Sequence, residues 1–383
     1  MKKNGHRLLT LAALVGTAAG VIHIANRFID ATSQLKDMLE QPHSRTYDWR
    51  FGKIFYTKQG YGTPILLIHD IMPGASGYEW NAIEKQLATE HTVYTIDLLG
   101  CGRSEKPDIT YTNFVFAQLL CDFAKNVIRE ETDVIASGFS GSFAIMAYRN
   151  NSDHFRKIML VNPPSFSSLK QAPCKDNKLF KYFIELPIFG TLIYHMVASR
   201  ESISSLFMEK LFYNPFHVTD TLVDTYYESA HKGGSNAKYL YSSYIGKYLN
   251  ISINNAVESS DACIYIISGE KEASASLIAE EYQKLNSSIE TAVIPDQTSS
   301  SSGRSGTFPG TGSYFPVKTT YDPASKTKFI YSNLGNQRIK RTLFMFRAVE
   351  LHTVICGNAI NQQKANKKRV LFHVKHEFSL KQT

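Results

Sequence analysis

From Phe51 to Pro295 the chain is built from short apolar runs bounded by turn residues. Phe51–Thr57 alternates apolar and polar positions like a strand, and Gly60-Tyr61-Gly62 turns it into the next run. Pro64–His69 (PILLIH), His91–Leu99, Asp133–Ala136, Ile158–Asn162 and Ala262–Ser268 are continuous apolar runs of strand length, and Glu290–Pro295 follows as a further strand. Such runs suit parallel strands covered on both faces. Helix-length segments lie between them at Tyr78–Glu90, Phe114–Arg129 and Gly141–Arg149. The repetition of strand and helix predicts an α/β fold with a doubly wound, mostly parallel sheet. A gap of roughly 100 residues between Asn162 and Ala262 breaks the rhythm, far beyond an ordinary connection. It carries 15 Phe and Tyr residues between Phe180 and Tyr248 in a mostly helical pattern, which predicts a helical lid over about 165–255. Most of those aromatics are expected to fill the lid's own core.

A different pattern opens the chain. No charged residue falls between Leu8 and Asn26, and a helix of that length reaches about 29 Å, close to the thickness of a bilayer's hydrocarbon layer. Residues 1–30 are therefore expected to form an N-terminal membrane helix. Lys2, Lys3 and Arg7 precede it, which would hold the amino terminus in the cytoplasm and send the domain at 45–296 outward. No clean small-x-small cleavage site separates Ile22 from Phe28, so an uncleaved anchor is preferred over a signal peptide. A helix packed on the domain surface is the third reading.

Composition narrows the classes. With 43% hydrophobic and 20% charged residues over 383 positions, general disorder and a polytopic membrane protein fit poorly. The net charge of +8 looks like a nucleic-acid signal until it is located: residues 297–383 hold 14 Lys/Arg against 3 Asp/Glu, and the rest of the chain is slightly acidic. No specific nucleic-acid partner is expected, only a basic tail that begins with a Ser/Gly-rich stretch and lacks strand-helix rhythm. Five cysteines form no CxxC pair, and His373 and His376 stand in the basic tail, so neither metal nor cofactor is expected.

The densest chemical signal is Asp133-Val-Ile-Ala-Ser-Gly-Phe-Ser140-Gly-Ser-Phe, a strand, a tight turn of small residues, then a helix. A nucleophile perched at such a bend needs small neighbours two positions either side, and Gly138 and Ser142 meet that demand around Ser140. Ile68-His-Asp-Ile-Met-Pro-Gly74 and Asp97-Leu-Leu-Gly-Cys-Gly-Arg-Ser104 stand upstream at the matching spacings. Together the three segments resemble the α/β-hydrolase family, and the resemblance extends from about Phe51 to Pro295.

That resemblance implies a serine hydrolase acting on a carboxylic ester, with a small, moderately apolar acyl substrate. It makes Ser140 the nucleophile, the backbone N–H groups of Ile71 and Gly141 the oxyanion hole, and Glu272 the orienting acid. Asp70 departs from the family pattern, standing where a glycine normally lets the chain approach the substrate. His69 is expected to be a structural residue buttressing its loop. The base should follow Glu290–Pro295 closely, yet no histidine lies between His231 and His352. Either His352 returns from the tail, or the original carboxyl-terminal elements were replaced, for instance by a reading-frame change near codon 297. The second case predicts a sheet missing an edge strand, lowered stability and impaired catalysis. A non-catalytic binding or scaffold protein on the same fold is the alternative.

Overall fold

A computed structural model of the protein describes residues 2–41, 43–212, 215–269 and 275–294. The basic tail, with His352, therefore lies outside the described residues, as does Glu272.

Eight strands form one sheet in the order β1-β2-β4-β3-β5-β6-β7-β8. β1 (Ser44–Trp49) and β2 (Gly52–Gln59) are antiparallel to their neighbours. β3 (Pro64–Ile68), β4 (Thr92–Ile96), β5 (Thr132–Ser137), β6 (Phe155–Val161), β7 (Cys263–Gly269) and β8 (Glu290–Ile294) are all parallel. The fully buried β3 and nearly fully buried β5 sit at the centre, which is why they read as unbroken apolar runs. β1 escaped the sequence reading because it is a polar edge strand whose residues are mostly exposed. The run expected at Glu290–Pro295 forms the edge strand β8, pairing Glu290–Ile294 in register with Tyr265–Gly269 of β7; the strand expected to be missing would follow it, outside the described residues.

Helix α1 spans Lys2–Thr32, and its Ala12–Thr32 portion is long and apolar enough to cross a membrane. The sheet is covered by α2 (Asn81–Leu87), α3 (Asn113–Phe123), α4 (Ser140–Asn150) and, near the carboxyl end, α12 (Ala275–Leu285). Between β6 and β7 runs a helical insert: α5 (Phe166–Leu169), α6 (Lys175–Glu185), α7 (Phe189–Val197), α8 (Arg200–Leu206), α9 (Asp220–His231), α10 (Ala237–Ile245) and α11 (Asn254–Glu258). The main core joins α3, α4, α12 and part of this insert to the sheet, through Phe116, Phe143, Leu160, Leu240 and Tyr282 among others. The insert meets the loops at the carboxyl ends of β3 and β4: the Ser243 hydroxyl accepts from the Tyr111 N–H at 3.1 Å, and a Cβ on Gly74 would fall 2.2 Å from the Tyr226 carbonyl.

Candidate active site

The loops that follow β3, β4 and β5 converge at the carboxyl edge of the sheet. After β4, Asp97 is buried and accepts hydrogen bonds from the Gly77 N–H at 2.7 Å and from Arg103 through its backbone N–H, Nε and Nη2 at 2.7–2.9 Å. Burial pushes the Asp97 carboxyl up, but the Arg103 guanidinium outweighs it and holds the group below the usual carboxylate range. Gly102, at φ +49°, lets the chain wrap this carboxylate so closely that a Cβ there would lie 2.3 Å from Asp97 Oδ2. The D-x-x-G-x-G-x-S segment is thus an Arg-stapled turn.

His69 ends the β3 loop's entry and is fully buried. Its Nδ1–H donates to the Asp70 carbonyl at 2.7 Å while Nε2 accepts the Leu98 N–H at 3.0 Å, so the ring is neutral and clamps the β3 loop to the β4 loop. Burial lowers its pKa further. The histidine buttresses the loop, as the sequence reading expected.

The bend after β5 sits two residues earlier than expected. β5 runs to Ser137, and the residue in the left-handed region between strand and helix is Gly138, at φ +51°. Ser140 is already the first residue of α4, is 0% exposed, and donates its hydroxyl to the His69 carbonyl at 2.6 Å. The Gly141 N–H is likewise committed, to the Gly138 carbonyl at 3.2 Å. The small-x-corner-x-small window that the chain folds around is Ala136-Ser137-Gly138-Phe139-Ser140, overlapping the window centred on Ser140. A detectable signal existed: the corner follows a strand directly, and a strand running through Ser137 leaves Gly138, the residue best able to take positive φ, at that place.

With Gly138 at the corner, the two donors of this architecture are the N–H of the next residue, Phe139, and that of Ile71 in the β3 loop. Both point at one atom. Asp70 Oδ1 accepts from the Phe139 N–H at 2.7 Å and from the Ile71 N–H at 2.7 Å. The carboxylate of the chain itself fills the space where an oxyanion would form. A Cβ on Gly138 would lie 2.2 Å from Asp70 Cγ, so a side chain at 138 and the Asp70 carboxylate exclude one another.

A second carboxylate stands beside it. Glu79 Oε2 accepts the Asp70 N–H at 2.9 Å, and Glu79 also takes a hydrogen bond from the Ser137 side chain. Burial pushes Asp70 to about 6 despite its two N–H donors. Burial and the neighbouring Asp70 charge push Glu79 to about 7. A small apolar hollow lies between the β3 loop and the insert, with Ile71, Met72, Leu240, Tyr241 and Tyr244 in its wall, and neither Asp70 nor Glu79 lines it. Among the described residues no group of three or more His, Cys, Asp or Glu side chains is arranged to hold a metal ion.

A sequence profile of the Alpha/beta hydrolase family matches residues 65–298, more than half the chain. This chain belongs to that family. As an α/β hydrolase it is 26% identical over 110 residues to a 2-hydroxymuconate semialdehyde hydrolase of Pseudomonas sp. (strain CF600), covering 28% of this chain and 39% of that protein. It is 27% identical over 110 residues to a soluble epoxide hydrolase of Corynebacterium sp. (strain C12), covering 29% and 38%. The chain therefore aligns with well under half the length of these curated relatives. Among solved structures, a serine hydrolase involved in carbazole degradation superposes with a TM-score of 0.54 at 18% identity over 66% of this chain and 89% of that one. An epoxide hydrolase gives 0.51 at 17% identity over 66% and 90%. Its relatives are thus hydrolases of several kinds, not specifically ester hydrolases.

Proposed function

We propose that this α/β hydrolase is a membrane-anchored binding protein that does not perform serine-dependent acyl transfer. The observation that carries this reading is Asp70 Oδ1 held between the Ile71 and Phe139 N–H groups, opposite a glycine at the corner. Acyl transfer needs a nucleophile at the corner and an empty donor pair to receive the developing negative charge. Here the corner has no side chain and the donors already hold an anion. The expected ester hydrolysis by Ser140 with Glu272 is disfavoured because the Ser140 hydroxyl is buried and spent on a carbonyl. Aspartate-nucleophile chemistry fails on the same ground, since position 138 is glycine.

The wall of the hollow is mostly apolar and aromatic, so the ligand that suits it is small and moderately apolar. The helical insert serves as a lid over this hollow, and α1 anchors the protein with the domain on the extracytoplasmic side, a topology supported by Lys2, Lys3 and Arg7.

Fluorophosphonate labelling of the full chain, beside Ser140→Ala, tests the reading. The expected result is no labelling of either protein while both melt cooperatively. Labelling that disappears in Ser140→Ala would overturn it and restore the ester-hydrolase alternative. Thermal-shift titration with small neutral apolar compounds tests the ligand class, with concentration-dependent stabilisation expected.

A further inference from the structure

Helix α1 does not stand clear of the domain. Its less exposed positions, Ala19, Ile22, Asn26, Ile29 and Asp30, with Ser33 just past its end, recur at helical spacing and form one stripe. Asn26 Nδ2 donates to the Ile188 carbonyl at 3.1 Å at the start of α7, and Gln34 Nε2 donates to the His231 carbonyl at 3.0 Å at the end of α9. Asn26 lies six residues inside the carboxyl end of the candidate span Ala12–Thr32, which at 1.5 Å per residue is about 9 Å of depth. Whatever holds that span in a bilayer also draws the α6–α7 turn to the depth at which interfacial apolar faces lie, about 5–10 Å.

The turn is built for that position. On α6, Leu179, Phe180 and Phe183 are exposed, and on α7 Phe189, Ile193 and Met196 are exposed at spacings that give one face. An apolar surface of this kind on a soluble domain marks an interaction site. It adjoins α1 where Asn26 meets the start of α7, while α1 also exposes Ile24 and Phe28 on the side away from that contact and Lys175 and Lys178 are exposed at the amino end of α6, where phosphate headgroups would meet them.

We propose that the α6–α7 face is embedded in the lipid interface, so that the insert covering the hollow is itself a membrane-bound element. This rests on the reading of α1 as an anchor. The occupant is lipid rather than a second copy of the chain because the face lies beside a helix that itself qualifies as a span and is joined to it through Asn26 and Ile188.

The test adds one tryptophan at a time to the full chain, read as the difference from the parent emission of Trp49 and Trp80, in phosphatidylcholine vesicles with and without brominated acyl chains. Phe180→Trp and Met196→Trp report on the proposed face, Val15→Trp on the anchor, and Tyr61→Trp, 88% exposed at the β2–β3 turn, on a surface remote from lipid. All four positions are exposed, and melts matching the parent protein confirm folding. Loss of emission in bromolipid for the probes at 15, 180 and 196, with the probe at 61 unchanged, supports the proposal. Quenching at 15 without quenching at 180 and 196 overturns it while leaving the anchor standing. No quenching at 15 removes the anchor and the proposal together. Shielding at 180 and 196 that follows the protein-to-lipid ratio and ignores bromine assigns the face to a second copy instead.

Discussion

Asp70 and Asp97 follow neighbouring strands, β3 and β4, and both are carboxylates enclosed by loop backbone, yet their surroundings are opposite. Asp97 faces the Arg103 guanidinium, with an ion pair at 2.7 Å, and is held ionised. Asp70 has only backbone N–H donors and faces a second carboxylate, Glu79, so burial raises both. The same residue type therefore does two jobs. One carboxylate ties a turn together, and the other stores unfavourable electrostatics at the place where this fold normally carries its chemistry.

The largest single-substitution break in that contrast comes from Arg103→Met. It leaves Asp97 charged, buried and unpaired, and is expected to cost about 3–5 kcal/mol in a denaturant melt. Gly138→Ser comes next. Positive φ and the collision with Asp70 should destabilise by about 3 kcal/mol. Adding Asp70→Gly removes the collision, so the double-mutant cycle should return a favourable coupling of about 1–3 kcal/mol; additive effects would mean that the two residues do not compete for one space.

The pH profile sharpens the comparison. Asp70 and Glu79 have folded-state pKa values raised above their ordinary ones, so the folded protein binds more protons than the unfolded chain between about pH 4 and 7, and stability falls as pH rises through that window. The loss should be on the order of 6 kcal/mol if both shifts count in full, and Glu79→Gln should about halve it. Asp97 has the opposite sign. Its lowered pKa contributes stability above its ordinary value that is lost only as pH falls below about 4. A profile without the fall between pH 4 and 7 would contradict the assignment of the pair. The smallest effect belongs to Ser140→Ala, about 1 kcal/mol from losing the hydrogen bond to the His69 carbonyl.

The sheet was legible because its central strands are apolar on both faces. The Pro64–His69 run became β3, and the runs behind β4 to β8 were found within a few residues at their ends. β1 was not, because Ser44–Trp49 sits at an edge and has no apolar run to show. The site was half legible. His69 was read as structural and Asp70 as a departure from the family, but the corner was misplaced by two residues. Overlapping windows of small residues look alike in sequence, and only the strand's end at Ser137 tells which residue must turn. That Asp70 would fold into the donor pair depends on a contact between residues 70 and 139, which no local pattern encodes.

The mutual exclusion of a side chain at 138 and the carboxylate at 70 has an evolutionary meaning. For a serine to arise at the corner, it would first have to coexist with Asp70 and be squeezed out, or Asp70 would first have to leave and abandon two backbone donors to an empty niche. Neither single step is favourable, so the present state works as a ratchet.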